Sequence, residues 1–253
     1  MRLVWVGFRL QLKMRSRSAF DGILGVIYPM FFATTIFLLY RQTASPAELV
    51  GVSVGSAAMG VWSATSTTAA GVLQHERRDG TLELLVAAPT FFPLVVVPIT
   101  LSMATIGLYS LVVTLVWGRI AFGIPLDFAD PLAFICAALA TVVAIGLVGF
   151  LQSIVCVRLR HAWAVGSALE LPVWLICGFL VPLSLLPHWV RPISWVLPPT
   201  WGVYALRAAA LGHPAWLDIA LCLALAAVYG LLATLGAGRI VDSARARATL
   251  ALS

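Results

Sequence analysis

Charge is scarce in this chain: only 10% of its 253 residues are Asp, Glu, Lys or Arg, while 61% are hydrophobic. Soluble domains carry roughly 25% charged residues. Too few charges are present to clothe a globule of 27.0 kDa in water, and the mean hydropathy of +1.01 points the same way. A soluble enzyme, a nucleic-acid-binding domain and a disordered chain are excluded on this ground. The pI near 9.6 does not restore a nucleic-acid partner, because the basic residues are scattered between apolar blocks. Cysteine is sparse too. Cys136, Cys156, Cys177 and Cys222 sit in or beside apolar runs without CxxC or Cys/His spacing, which suggests neither zinc nor a disulfide framework. A GxxxxGK[ST] phosphate loop and an HExxH pair are also missing. The chain is therefore expected to hold no catalytic group, metal or nucleotide of its own.

What it has instead is a series of apolar runs. A spanning helix needs about 20 mostly apolar residues, and six segments qualify: 22–40, 49–73, 93–117, 132–157, 163–182 and 217–238. Their continuity speaks against a β-barrel, whose strands alternate apolar and polar residues. The expected fold class is an all-α polytopic membrane protein, a single transmembrane domain over 1–253. Pro29, Pro98 and Pro172 fall inside the runs, where neighbouring helices can satisfy the freed carbonyls. The first run reads as a retained span, not a cleaved signal, because its small-residue site Thr43-Ala44-Ser45 is followed by Pro46.

Orientation follows from the 16 basic residues. With the N-terminus inside, Arg2, Arg9, Lys13, Arg15, Arg17, Arg77, Arg78, Arg158, Arg160, Arg239, Arg245 and Arg247 share the inner side. Arg41, Arg119, Arg191 and Arg207 fall outside. Twelve against four places both termini in the cytoplasm. Before the first span, residues 1–18 put Arg9, Lys13 and Arg17 at helical spacing beside a stripe of Leu3, Val6, Leu10 and Met14. Such a helix lies flat on an anionic inner leaflet; a solvated basic tail is the plainer alternative.

Two connections stand out. The inner one, 74–90, begins Gln74-His75-Glu76-Arg77-Arg78-Asp79. That cluster must sit in water beyond span two, and Gly80 breaks the helix as a C′ glycine does. A new short helix then runs to Pro89, with Leu82, Leu85 and Val86 on one face and Glu83 pointing away. The residues alone leave three readings open: a fold-back onto the membrane, docking in a groove of another protein, and an ordinary interfacial turn. The outer connection, 183–216, is too apolar for a solvated loop, yet Pro182, Pro187, Pro192, Pro198 and Pro199 cut it into pieces shorter than a span. Short re-entrant helices between Trp189, Trp195 and Trp201, with Thr200 capping a second piece that ends near Gly212, fit both facts. An aromatic belt without a gating role fits them as well.

Deep inside the spans, Glu170 is the one carboxylate, two residues before Pro172, since Asp218 is only the second residue of the sixth. It either lines a wet translocation path or makes a structural hydrogen bond to another helix. Span two carries Ser53, Ser56, Ser63, Thr65, Ser66, Thr67 and Thr68, and Ser63 and Ser66 are candidate path residues beside Glu170. Its Gly51/Gly55 and Ser56/Gly60 pairs permit close helix packing, within the chain or across a dimer seam.

The string Glu76-Arg77-Arg78-x-Gly80-Thr81-Leu82-Glu83-Leu84-Leu85, with Pro89 soon after, resembles the cytoplasmic signature of ABC-2-type transporter permeases. That resemblance implies that the helix after Gly-Thr-Leu-Glu is a coupling helix docking on an ATP-binding subunit. The docking role then falls on Glu76, Arg77, Arg78, Gly80, Thr81, Leu82, Glu83, Leu84, Leu85 and Val86. It also implies that the paired short helices before the last span close the outer end of the path, a gate at Pro187, Trp189, Trp195, Pro198 and Trp201. Six spans, an amphipathic first helix and inside termini are features of the same family. One departure is Phe91-Phe92-Pro93, where many members carry a basic residue soon after the proline. The function implied is the non-catalytic membrane subunit of an ATP-driven exporter of a small amphiphile or lipid-like substrate in a prokaryotic plasma membrane. Two ATP-binding subunits would hold the ATP and Mg, and a second permease chain, identical or related, would complete the path. A secondary transporter would need ion-coupling carboxylates and a visible repeat; an intramembrane enzyme would need polar catalytic groups in facing spans.

Overall fold

The computed structural model describes residues 2–15, helical residues between 27 and 38, and then 45–78, 80, 93–124, 128–156, 162–181 and 183–247. Among these there is no strand. The helices are α1 (Arg2–Arg15), α2 (Pro46–Arg78), α3 (Pro93–Phe122), α4 (Pro131–Cys156), α5 (Ala162–Ile176), α6 (Arg191–Val196), α7 (Pro198–Leu211) and α8 (Trp216–Arg247). A single 3-10 turn, Leu183–Leu185, precedes α6. Four stretches are long and apolar enough to cross a bilayer: Ala47–Ser66 in α2, Val96–Phe122 in α3, all of α4, and Trp216–Arg239 in α8. The chain is a multi-pass membrane protein.

The first expected span, 22–40, lies only partly within the described residues. The fifth, 163–182, holds a helix of 15 residues, shorter than a span. Its stop has a local cause. Gly178 takes a left-handed φ of 75°, the Phe179 N–H reaches back to the Trp174 carbonyl at 3.0 Å, and the Gly178 N–H reaches Leu175 at 3.2 Å. That is a Schellman closure, in which the turn's own amides satisfy the last carbonyls of the helix.

α2 is the central helix, buried without a break from Val52 to Trp62 and packed by α3, α4, α5 and α7. Its small residues permit this: a Cβ on Gly107 of α3 would stand 2.8 Å from the Val61 Cα, so the two backbones nearly touch. Its hydroxyls are mostly satisfied on their own helix, Ser53 donating to Leu49, Ser56 to Val52 and Thr65 to Val61 at 2.8–2.9 Å. α2 begins with a capping box. The Ser45 N–H donates to the Glu48 carboxylate at 2.6 Å, and the Glu48 N–H donates back to the Ser45 hydroxyl at 3.3 Å. α1 lies against α3, where a Cβ on Gly7 would meet Pro98 at 3.5 Å; Trp5, Val6 and Leu10 stay exposed. Among its described side chains α8 buries a narrow stripe of Ile219, Cys222, Ala226, Ala233 and Ala237 and exposes Leu217, Val228, Leu231, Leu232 and Leu235, the pattern of a helix with one protein face and one lipid face.

Candidate functional site: the two ends of the central helix

At its C-terminal end, α2 runs past its apolar stretch into Glu76, Arg77 and Arg78 and ends there. Gly80 follows with φ of 70°, the left-handed conformation that only glycine adopts without strain. This is the helix break expected from the sequence. The side chains of Glu76, Arg77 and Arg78 lie outside the described residues, as do Thr81, Leu82, Glu83, Leu84, Leu85 and Val86 altogether.

At the N-terminal end of α2 the segment after α5 is described almost throughout. Leu197 separates α6 from α7, and Pro198 and Pro199 open α7 with their preset φ. The expected cap at Thr200 is therefore corrected: the prolines start the helix two residues earlier, and no side chain caps it. The far end is as expected, with Gly212 left-handed at φ 78°. Of the five gate candidates, Trp195 and Trp201 are joined, the Trp201 indole N–H donating to the Trp195 carbonyl at 2.8 Å, and Pro198 is buried at the start of α7. Pro187 and Trp189 sit on the exposed turn before α6.

Two polar side chains hold this segment to the bundle, and sequence reasoning singled out neither. Ser194, fully buried in α6, donates to the Ile176 carbonyl at the end of α5 at 2.6 Å. Arg207, half-buried in α7, donates from Nε to the Gly51 carbonyl at 3.0 Å and from Nη2 to the Phe179 carbonyl at 3.1 Å. It thereby joins α7, α2 and the turn after α5. The Gly51/Gly55 pair makes room for it: a Cβ on Gly55 would collide with the Phe179 carbonyl oxygen and stand 2.6 Å from Nη2. A lone arginine in an otherwise apolar helix was the available signal.

Between the two ends lies a polar seam. Ser66 of α2 and Gln152 of α4 share a buried hydrogen bond at 3.1 Å. Glu170 of α5, only 9% exposed, faces Ser63 of α2. The three path candidates thus lie near one another along α2, with Gln152 as a fourth member that the sequence did not single out. α2 also spells Gly51-Val52-Ser53-Val54-Gly55, the GxSxG of a hydrolase elbow. That motif needs a strand-to-helix turn, whereas Ser53 sits inside a helix with its hydroxyl bonded to Leu49 at 2.8 Å. No nucleophile is presented there.

The family model of the ABC-2 type transporter matches residues 2–211, from the start of α1 to the end of α7. The chain belongs to the ABC-2 type transporter family. A search of curated proteins finds no match. ABC-2 permeases are membrane components of transporters and typically work with an ATP-binding subunit. Within this permease the signature beginning at Glu76 falls where α2 stops, between the helices α2 and α3.

Proposed function

We propose that this ABC-2 permease is the non-catalytic membrane subunit of an exporter that moves a small amphiphile or lipid-like molecule outward. Two ATP-binding subunits bind and hydrolyse ATP with Mg, and a second permease chain, identical or related, completes the path. The observation that carries this is the left-handed Gly80 at the end of a 33-residue α2, opening the Gly-Thr-Leu-Glu-Leu-Leu string within a chain matched over 2–211. A helix that long delivers the charged cluster and the following apolar helix beyond the bilayer, where closure of the ATP-binding subunits pushes on Leu82, Leu85 and Val86 and shifts the spans as rigid bodies. Short inter-helix connections, with no added domain between spans, favour a small amphiphile over a polymer.

In this reading six spans cross a prokaryotic plasma membrane with both termini inside, the first in 22–40 and the fifth built on α5. Residues 183–216 form a re-entrant outer gate at Pro187, Trp189, Trp195, Pro198 and Trp201. Glu170, Ser63 and Ser66 contribute polar groups to the path. The test is reconstitution. The permease and its co-purified ATP-binding subunit, placed together in vesicles, should hydrolyse ATP in step with movement of a fluorescent amphiphile, and neither should do so alone. Amphiphile movement driven by an ion gradient without ATP would establish a secondary transporter instead.

A further inference from the structure

We propose that Arg207 is the latch of the outer gate and Ser194 its pivot. While the path is closed outward, the guanidinium holds α7 and the turn after α5 against α2; when the path opens, its two carbonyl bonds part and α7 swings about α6. The proposal rests on reading 183–216 as the gate, and it assigns that gate a mechanism.

Three observations carry it. One side chain bridges three elements, with Nε on Gly51 at 3.0 Å and Nη2 on Phe179 at 3.1 Å, so the first bond must break for α7 to leave α2 and the second for it to leave the turn after α5. Charge-assisted bonds of this kind are about twice as strong as neutral ones. The space for them is built in, since any side chain at Gly55 would strike the Phe179 carbonyl or the guanidinium.

The second observation is a difference in burial. Arg207 is half-buried, so water can take its released donors and opening does not strand a charge in an apolar interior. Ser194 is fully buried, and its bond to Ile176 at 2.6 Å has no water to replace it. Breaking it leaves the hydroxyl on the Val190 carbonyl of its own helix at 3.2 Å but strips the Ile176 carbonyl of its donor. The half-buried side chain is the one that releases and the fully buried one is the one that stays.

The third is the thinness of the joint. α6 and α7 are separated by the single residue Leu197, in an extended conformation with ψ of 117°. Hinges are a few element-terminal residues that absorb such a change, and one residue between two short helices provides that.

The test places a reporter on α7 one turn before Arg207. Val203 is 1% exposed, and Val203→Cys in the permease–ATPase complex in lipid nanodiscs is treated with a water-soluble maleimide, modification at position 203 being read by mass spectrometry. In the otherwise unchanged chain, labelling should be slow without nucleotide and about ten-fold faster when ATP and vanadate trap the cycle, because losing one charge-assisted bond shifts an equilibrium by about that factor. Arg207→Gln should label fast in both states, so that the nucleotide dependence disappears. Arg207→Lys, which keeps the charge but not the fork, should fall between and carries the test if Arg207→Gln fails to reach the membrane. A merely structural arginine would lower the unfolding temperature yet leave the nucleotide ratio intact, and that result overturns the latch while the gate stands. If the chain with Arg207 intact shows no nucleotide dependence at position 203, the gate reading falls and the latch with it.

Discussion

The two ends of α2 are built in opposite ways. At its N-terminal end a Ser45–Glu48 box closes the first turn, Arg207 reaches in from α7 over Gly51, and Gly55 is so crowded that a single methyl would collide with a carbonyl. At its C-terminal end α2 runs on through a charged cluster, and a Cβ on Gly80 would meet no described atom within 4 Å. Both ends use glycine, for different physical reasons: Gly55 for the absence of a side chain, Gly80 for its φ of 70°. A helix end that the chain itself grips serves to hold the fold. In the function proposed above, the other end is where the ATP-binding subunit docks.

The comparison breaks most visibly at Gly55. Gly55→Ala should destabilise the permease by about 3 kcal/mol, at the upper end of overpacking costs, read as a clear fall in unfolding temperature in detergent. Little change would mean that the Phe179 turn moves freely and that the N-terminal end is not tightly held. Gly80→Ala should cost about 1–2 kcal/mol from the left-handed backbone. Its effect should show in recovery of the ATP-binding subunit more than in unfolding temperature.

Much of this contrast was legible in the residues. The apolar runs announced α2, α3, α4 and α8, and the break at Gly80 could be read because a glycine after a charged helix end is a local signal. The capping box is equally local, a Ser45-x-x-Glu48 spelling just ahead of the apolar run that starts at residue 49. Other features were not local. The Arg207 acceptors lie 156 and 28 residues away and are backbone carbonyls, which leave no mark in a sequence. Gly51 and Gly55 could be recognised as a small-residue pair, but not as the berth of an arginine. α7 misled in the other direction: Pro198 and Pro199 read as breakers when they are its first turn. The fifth run concealed a stop at Gly178, because hydropathy continues across it while the backbone does not.

Two smaller effects sharpen the picture. Ser45→Ala removes the N-terminal cap and should cost about 1 kcal/mol, measurable as a modest drop in unfolding temperature without loss of the ATP-binding subunit. Gln152→Leu removes the partner of Ser66 midway along α2, and interhelical bonds in membranes average about 0.6 kcal/mol. Stability should therefore barely move, and a large change in transport alone would mark the seam as part of the path.

The central claim is that the segment beyond Gly80 is where the ATP-binding subunit pushes. Burying a leucine contributes about 1.5–3 kcal/mol, and a carboxylate in its place adds an uncompensated charge to the contact. Leu85→Asp and Glu83→Ala are to be compared in one membrane preparation, measuring recovery of the ATP-binding subunit and transport-coupled ATP hydrolysis. Leu85→Asp should insert normally yet lose most of the partner or of its coupled hydrolysis, and Glu83→Ala, on the opposite face, should lose much less. If Leu85→Asp assembles and transports like the unaltered chain, the C-terminal end of α2 is not the coupling site.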